Sequence, residues 1–285
     1  MKILILLLMS CSVSGLAEAP DYYSPESIML FADHLFRQQD YLRAAYEYER
    51  SVIFQNEADP VVPEIVLRAG KAFQCAGQYD RSLDLFGELI KTGEKDRIRE
   101  LAIYETGLSY FLMSRFEDSL LFLQDQAAVA RVSDSGLLIG ADLMMLRRWQ
   151  QAEEVLAGFG FPATEPLREL AQQGAAMRRK SPLAAAVMSA LIPGTGKIYA
   201  GEYGDGIHSL VFIGLIGTLS VLSFRADGWD SIRGWIYASA GGVLYCGNIY
   251  GSVVSAGRYN RLREEALLQE VEQRIPQCSE FLLEP

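Results

Sequence analysis

The chain has 285 residues, half of them hydrophobic, and a formal net charge of −10. That length supports one or two domains with a real core. Residues 18–176 hold 26 acidic and 15 basic side chains, and residues 177–285 hold ten of each; the acidic first half argues against nucleic acid, whose phosphates it would repel.

Met1 and Lys2 precede an apolar run over residues 3–9, followed by small residues. The run is too short to span a bilayer and reads as a secretory signal, residues 1–17. Two cleavage points compete. Gly15, Leu16 and Ala17 before Glu18 suit an ordinary signal peptidase, whereas Leu8, Met9, Ser10 and Cys11 resemble a bacterial lipobox that would lipidate Cys11.

A repeat follows. Gly70, Gly107 and Gly140 each stand nine residues before an aromatic residue: Tyr79, Phe116 and Trp149. Three positions later comes a small residue (Ser82, Ser119, Ala152), and four after that a large apolar one (Phe86, Leu123, Leu156). Ala32, Tyr41, Ala44 and Tyr48 form a weaker first copy. The aromatic positions step by 38, 37 and 33 residues, a period that marks stacked helical hairpins, which bind more often than they catalyse. Short side chains at 70 and 82 let two antiparallel helices approach, with Phe73 and Tyr79 filling the space beside them.

This small, aromatic, small, aromatic order resembles the tetratricopeptide (TPR) family over residues 24–160. Arg147 stands where that family has a glycine-like turn residue, and Ala32 where it has glycine. The resemblance implies a concave groove lined by Lys71, Gln74, Tyr104, Leu108, Phe111, Leu112, Ala141, Met144 and Met145. Of these, Tyr104, Leu108, Phe111, Leu112, Met144 and Met145 are the candidate contacts for a protein or peptide partner. The competing reading is that these side chains are simply buried, with the amphipathic tail at Leu262, Ala266, Leu267, Val271 and Ile275 as a cover. A helix from Glu165 is expected to cap the stack, within a linker at 161–181.

Composition changes at Met177. Residues 207–224 and 235–257 are two apolar stretches, each long enough at ~1.5 Å per residue to cross a core about 30 Å thick. A polar link at 225–233 joins them, so an antiparallel membrane hairpin is expected inside a domain at 182–260, with a tail at 261–285. Trp229, Trp235 and Tyr237 suit an interface belt. Gly214, Gly217, Gly241, Gly242, Gly247 and Gly251 offer close-packing faces for the hairpin or for self-association, and Asn248 a helix–helix hydrogen-bond partner.

Pro193, Gly194, Gly196, Tyr199, Gly201, Asp205 and Gly206 form a second motif. It is no phosphate loop, because Leu191 and Ile198 occupy positions that need glycine and Ser or Thr. Followed by two spans, it resembles a small bacterial membrane domain of unknown function. Physically it reads as a tight re-entrant turn anchored by Tyr199; the alternative is that its backbone N–H groups bind a lipid head group.

Topology signals disagree. The signal segment puts the repeats outside the cytoplasm, whereas Arg178, Arg179, Lys180, Arg258, Arg261 and Arg263 flank the hairpin where the positive-inside tendency expects cytoplasm. A third crossing at 183–199 is opposed by the Pro193–Gly194 break.

The two histidines, His34 and His208, belong to no Cys/His cluster, so no metal, cofactor or catalytic residue is expected. Asp205 and His208, one helical turn apart, read as a polar collar. Of four cysteines, Cys75 and Cys278 can pair only if the tail returns to the repeats, so no disulfide framework is expected. The reading is thus an all-α, non-enzymatic protein: a TPR-like helical-hairpin solenoid followed by a transmembrane hairpin. It would act as a scaffold of the bacterial envelope, or as a subunit of a lipid-handling or transport assembly.

Overall fold

The computed structural model describes residues 23–55, 59–92, 97–126, 133–159, 164–276 and 278. The signal segment, with Cys11, lies outside the described residues. Within them all regular structure is helical, and the chain divides into two units: residues up to Thr164 together with those from Ile275 onward, and Glu165–Arg274.

Unit 1 holds four helical pairs: α1 (Pro25–Arg37) with α2 (Tyr41–Ile53), α3 (Val62–Cys75) with α4 (Tyr79–Thr92), α5 (Arg97–Leu112) with α6 (Phe116–Gln126), and α7 (Ser133–Met145) with α8 (Trp149–Phe159). Each helix packs on its successor, and α3 packs on α5 as α5 does on α7. The sequence starts α1 visibly: Pro25 has no N–H to lose, and the Ser24 hydroxyl accepts from the Ser27 N–H at 3.2 Å.

The same turn closes every pair. Gln39, Gly77, Ser114 and Arg147 have φ of 62, 75, 59 and 61°. In each, the left-handed residue donates to the carbonyl three before it, and the next residue to the carbonyl five before it. Gly77 thus bonds Gln74 at 3.0 Å and Gln78 bonds Phe73 at 2.9 Å; Arg147 bonds Met144 and Arg148 bonds Leu143, both at 2.8 Å. These bonds cap the orphan carbonyls of the first helix and hold a left-handed residue that only glycine adopts without cost. Ser114→Gly is therefore expected to raise stability by about 0.5–1 kcal/mol, measured as a shift in denaturation midpoint.

The small residues do what their spacing suggests. A Cβ added to Gly70 would lie 2.5 Å from the Phe86 ring, one on Gly107 2.7 Å from Leu123, and one on Gly140 2.5 Å from Leu156. In the first pair Ala32 and Tyr48 share one buried cluster with Phe36, Ala44 and Phe73. Each such large side chain, fully buried, contributes about 1.5–3 kcal/mol.

Polar groups bridge the pairs. Lys71 reaches Glu105 on α5 at 2.7 Å, and Gln74 donates to the Glu105 carbonyl and to Ser109 at 3.0 and 2.9 Å. Tyr48 donates to Asp33 at 2.5 Å, and Arg68 pairs with the same oxygen at 3.0 Å. Burial, and then the Asp33 carboxylate, raise the Tyr48 phenol well above its ordinary range.

Cys75 and Cys278 form a disulfide, with Cα atoms 5.7 Å apart. This corrects the expectation from spacing. The segment after Arg274 does return to unit 1, and Cys278 packs against the cluster of the first two pairs.

Unit 2 contains α9 (Glu165–Ala175), α10 (Pro182–Leu191), α11 (Thr195–Ala200), α12 (Tyr203–Asp227) and α13 (Ile232–Arg274). The expected capping helix, α9, belongs to this unit and packs on α13. The second expected span and the amphipathic tail are one continuous helix of 43 residues, because nothing between Gly257 and Arg274 breaks it. One described helix, α12, is long and apolar enough to cross a membrane; its best 18-residue window has mean hydropathy 2.0 and is 6% buried. The corresponding part of α13 is diluted by glycine, serine, tyrosine and Asn248.

Candidate functional site

The structure places the expected groove residues mostly in the interior. Leu108, Phe111 and Met144 are buried, as are Lys71, Gln74 and Ala141; Tyr104, Leu112 and Met145 are half-buried. Lys71 and Gln74 are consumed by the α3–α5 bridge, so they line no open groove. The remaining helical spacing is that of a core face.

The glycine motif of unit 2 is built from backbone contacts. Gly194 and Gly201 have φ of 86 and 98° and bracket the short α11. A Cβ on Gly194 would stand 2.0 Å from the Gly206 carbonyl oxygen, and one on Gly196 2.0 Å from that of Ala185. The motif therefore clamps α11 between α10 and α12. Several N–H groups at its start are already engaged: Thr195 donates to the Ile192 carbonyl at 3.2 Å, Gly196 to Ser189 at 3.0 Å and Ile198 to the Gly194 carbonyl at 3.1 Å. Pro193 closes α10 at Leu191. The Tyr199 hydroxyl accepts from the Ser181 N–H at 3.1 Å and so holds the start of α10. Gly194→Ala combines positive-φ strain with a backbone collision, an expected loss of about 3 kcal/mol, detectable as lower yield and melting temperature of the full chain.

Further polar contacts seat α13 against this clamp. Ser189 and Ser252 hydroxyls lie 2.6 Å apart, Tyr245 donates to the Ala190 carbonyl, and Asn260 exchanges two hydrogen bonds with the Lys180 backbone at 2.8 and 2.9 Å. Between α12 and α13, Ser220 donates to the Gly234 carbonyl at 3.0 Å, while Phe224 sits between Trp229 and Trp235. Most of the expected glycine faces take no part. A Cβ on Gly214, Gly217, Gly242 or Gly247 would meet nothing within 4 Å.

Beside the clamp, α11, α12 and α13 enclose a cleft of about 580 Å³ lined by Lys197, Asp205, His208, Ser209, Phe212, Ile213, Val243, Leu244, Gly247 and Asn248. The Lys197 ammonium donates to Ser209 at 3.0 Å. Asp205 and His208 both line the cleft, but no hydrogen bond joins their side chains. Asn248, expected to join helices, has neither amide atom hydrogen-bonded.

Sequence reasoning paired Asp205 with His208 as a polar collar and reached Asn248 separately. It weighed the lysine of the glycine motif, Lys197, only as part of a phosphate loop, and passed over Ser209. Among the described residues no group of three or more His, Cys, Asp or Glu side chains is placed to hold a metal ion. No family model matches this chain, and no curated protein matches it.

Proposed function

We propose that this protein is a TPR-like helical-repeat scaffold of the bacterial envelope, held at a membrane by unit 2 and binding a protein or peptide through unit 1. The observation that carries the reading is the identical left-handed turn in all four pairs, at Gln39, Gly77, Ser114 and Arg147. Repeated pairs of this kind build extended surfaces suited to binding rather than to chemistry.

The outward apolar side chains of α12 support membrane attachment; Val211, Phe212, Leu215 and Leu222 are all exposed, which a helix in water would not tolerate over its whole length. The Cys75–Cys278 bond supports an extracytoplasmic unit 1, because such bonds persist in oxidising compartments. It agrees with the signal segment and not with the basic flanks.

The test is photo-crosslinking in intact cells from the half-buried Leu112 and Met145. A discrete adduct from each position, with the one from Met145 lost on Leu112→Glu while that variant still folds, is the expected result. Absence of any adduct from either position or from the exposed Leu30 would count against the scaffold.

A second reading, a subunit that handles lipid, is favoured by the cleft in unit 2. It predicts that function survives deletion of residues 24–160.

A further inference from the structure

Asn248 is 4% exposed, yet neither its amide nitrogen nor its amide oxygen has a hydrogen-bond partner. A buried amide in that state carries its desolvation penalty with no return. It lines the same cleft as two charges that form no ion pair with each other or with any described residue. The Lys197 ammonium has three donors and spends one on Ser209. The Asp205 carboxylate has no hydrogen bond either; only its backbone carbonyl is used, by Ser209. The opposite end of the cleft is apolar, formed by Phe212, Val243 and Leu244, all exposed. One cation, one anion and an apolar wall thus border a single open space, with the unpaired donor–acceptor amide of Asn248 buried in its lining.

We propose that this cleft holds the head group of a zwitterionic, amine-bearing phospholipid. The Lys197 ammonium and the Asn248 amide N–H take the phosphate. The Asp205 carboxylate and the Asn248 amide oxygen take the lipid's ammonium. An acyl chain lies along Phe212, Val243 and Leu244. Charge complementarity selects this class: an anionic head group without an amine would sit beside Asp205 uncompensated, and free phosphate would leave the apolar wall unused. The inference rests on the reading that α12 lies in a bilayer.

The test uses the full chain, extracted in mild detergent, stripped of lipid and titrated with dioleoylphosphatidylethanolamine, dioleoylphosphatidylglycerol or inorganic phosphate under native mass spectrometry. The expected result is preference for the ethanolamine lipid by about tenfold, with Lys197→Gln and Asn248→Leu each weakening it by about tenfold. Asp205→Asn should narrow the difference between the two lipids. Asn248→Leu removes an unpaired amide, so its lipid-free melting temperature should stay level or rise, which separates lost binding from lost folding. Equal binding of both lipids, binding of phosphate alone, or indifference to these variants would overturn the proposal. Carbonate extraction separates the two failures. A chain that pellets with membranes but shows no selectivity refutes the lipid site alone; a chain released to the supernatant refutes the membrane reading and the site with it.

Discussion

Reduction of the Cys75–Cys278 bond is expected to lower the melting temperature of the full chain by about 10–20 °C. The bond closes a loop across a sequence separation of 203 residues. The chain-entropy account assigns a loop of that length about 5 kcal/mol of stabilisation, by restricting the unfolded chain, and one kcal/mol moves the midpoint of a protein this size by about 2–4 °C. The double variant Cys75→Ser, Cys278→Ser should match the reduced protein, and non-reducing electrophoresis should resolve the two forms. Native protein isolated with both thiols free, or a melting temperature indifferent to reductant, would contradict the expectation. Cys246 provides an internal control, because it is free and exposed.

The second large effect is a dependence on pH set by Asp142. This side chain is fully buried on α7, and burial pushes its carboxyl up to about 8, with the Ser119 hydroxyl acting in the opposite direction. The geometry accommodates the protonated acid. Ser119 Oγ lies 2.6 Å from Asp142 Oδ2 and 3.0 Å from the Gly107 carbonyl oxygen. A hydroxyl has one proton to give. If it goes to Gly107, the acid must donate to Ser119. The other carboxyl oxygen, Oδ1, has no partner, which a neutral acid bears at less cost than a carboxylate.

The sign follows from linkage. The folded protein holds this proton more tightly than the unfolded chain, whose carboxyl titrates near 3.8. The contribution is therefore fully present below about pH 4 and is lost as pH rises towards 8, at about 1.4 kcal/mol per pH unit and on the order of 6 kcal/mol in all. Asp142→Asn keeps a donor towards Ser119 and removes the titration. Its stability advantage over the unmodified chain should grow steadily between pH 5 and 7.5, read from denaturant midpoints followed by circular dichroism. A constant difference across that range would refute the assignment.

The repeat was legible because its physics is local. A glycine 16 residues before a large apolar side chain, with an aromatic residue between them, describes one helix, one turn and the return helix. The same arithmetic left two readings open for Leu108, Phe111 and Met144, partner contact or burial, since helical periodicity identifies a packed face without saying what lies against it; all three are buried. The turn at Arg147 was legible as a position though not as a residue type, because the hydrogen bonds around it compensate a poorly suited side chain.

The disulfide was legible only as a condition, that the tail return to the repeats. Spacing carries no information about which segment ends up beside the last turn of α3, and 203 residues intervene. In unit 2 the glycines of the motif announced close contacts, and Gly194, Gly196 and Gly206 make them. The cleft stayed hidden because Lys197, Asp205 and Asn248 come from three helices whose meeting depends on those contacts. Asn248 was read by its commonest role, a partner across helices, and only its surroundings show that it has none.

The central claim is that the repeats stand outside the cytoplasm, fixed to a membrane by unit 2. The direct measurement places an epitope tag after Glu18 of the full chain, washes membranes with carbonate and adds protease to intact spheroplasts. The account predicts that the chain remains in the pellet and that the tag is removed without lysis. A tag protected until the cells are opened, or a chain found in the supernatant, would contradict it.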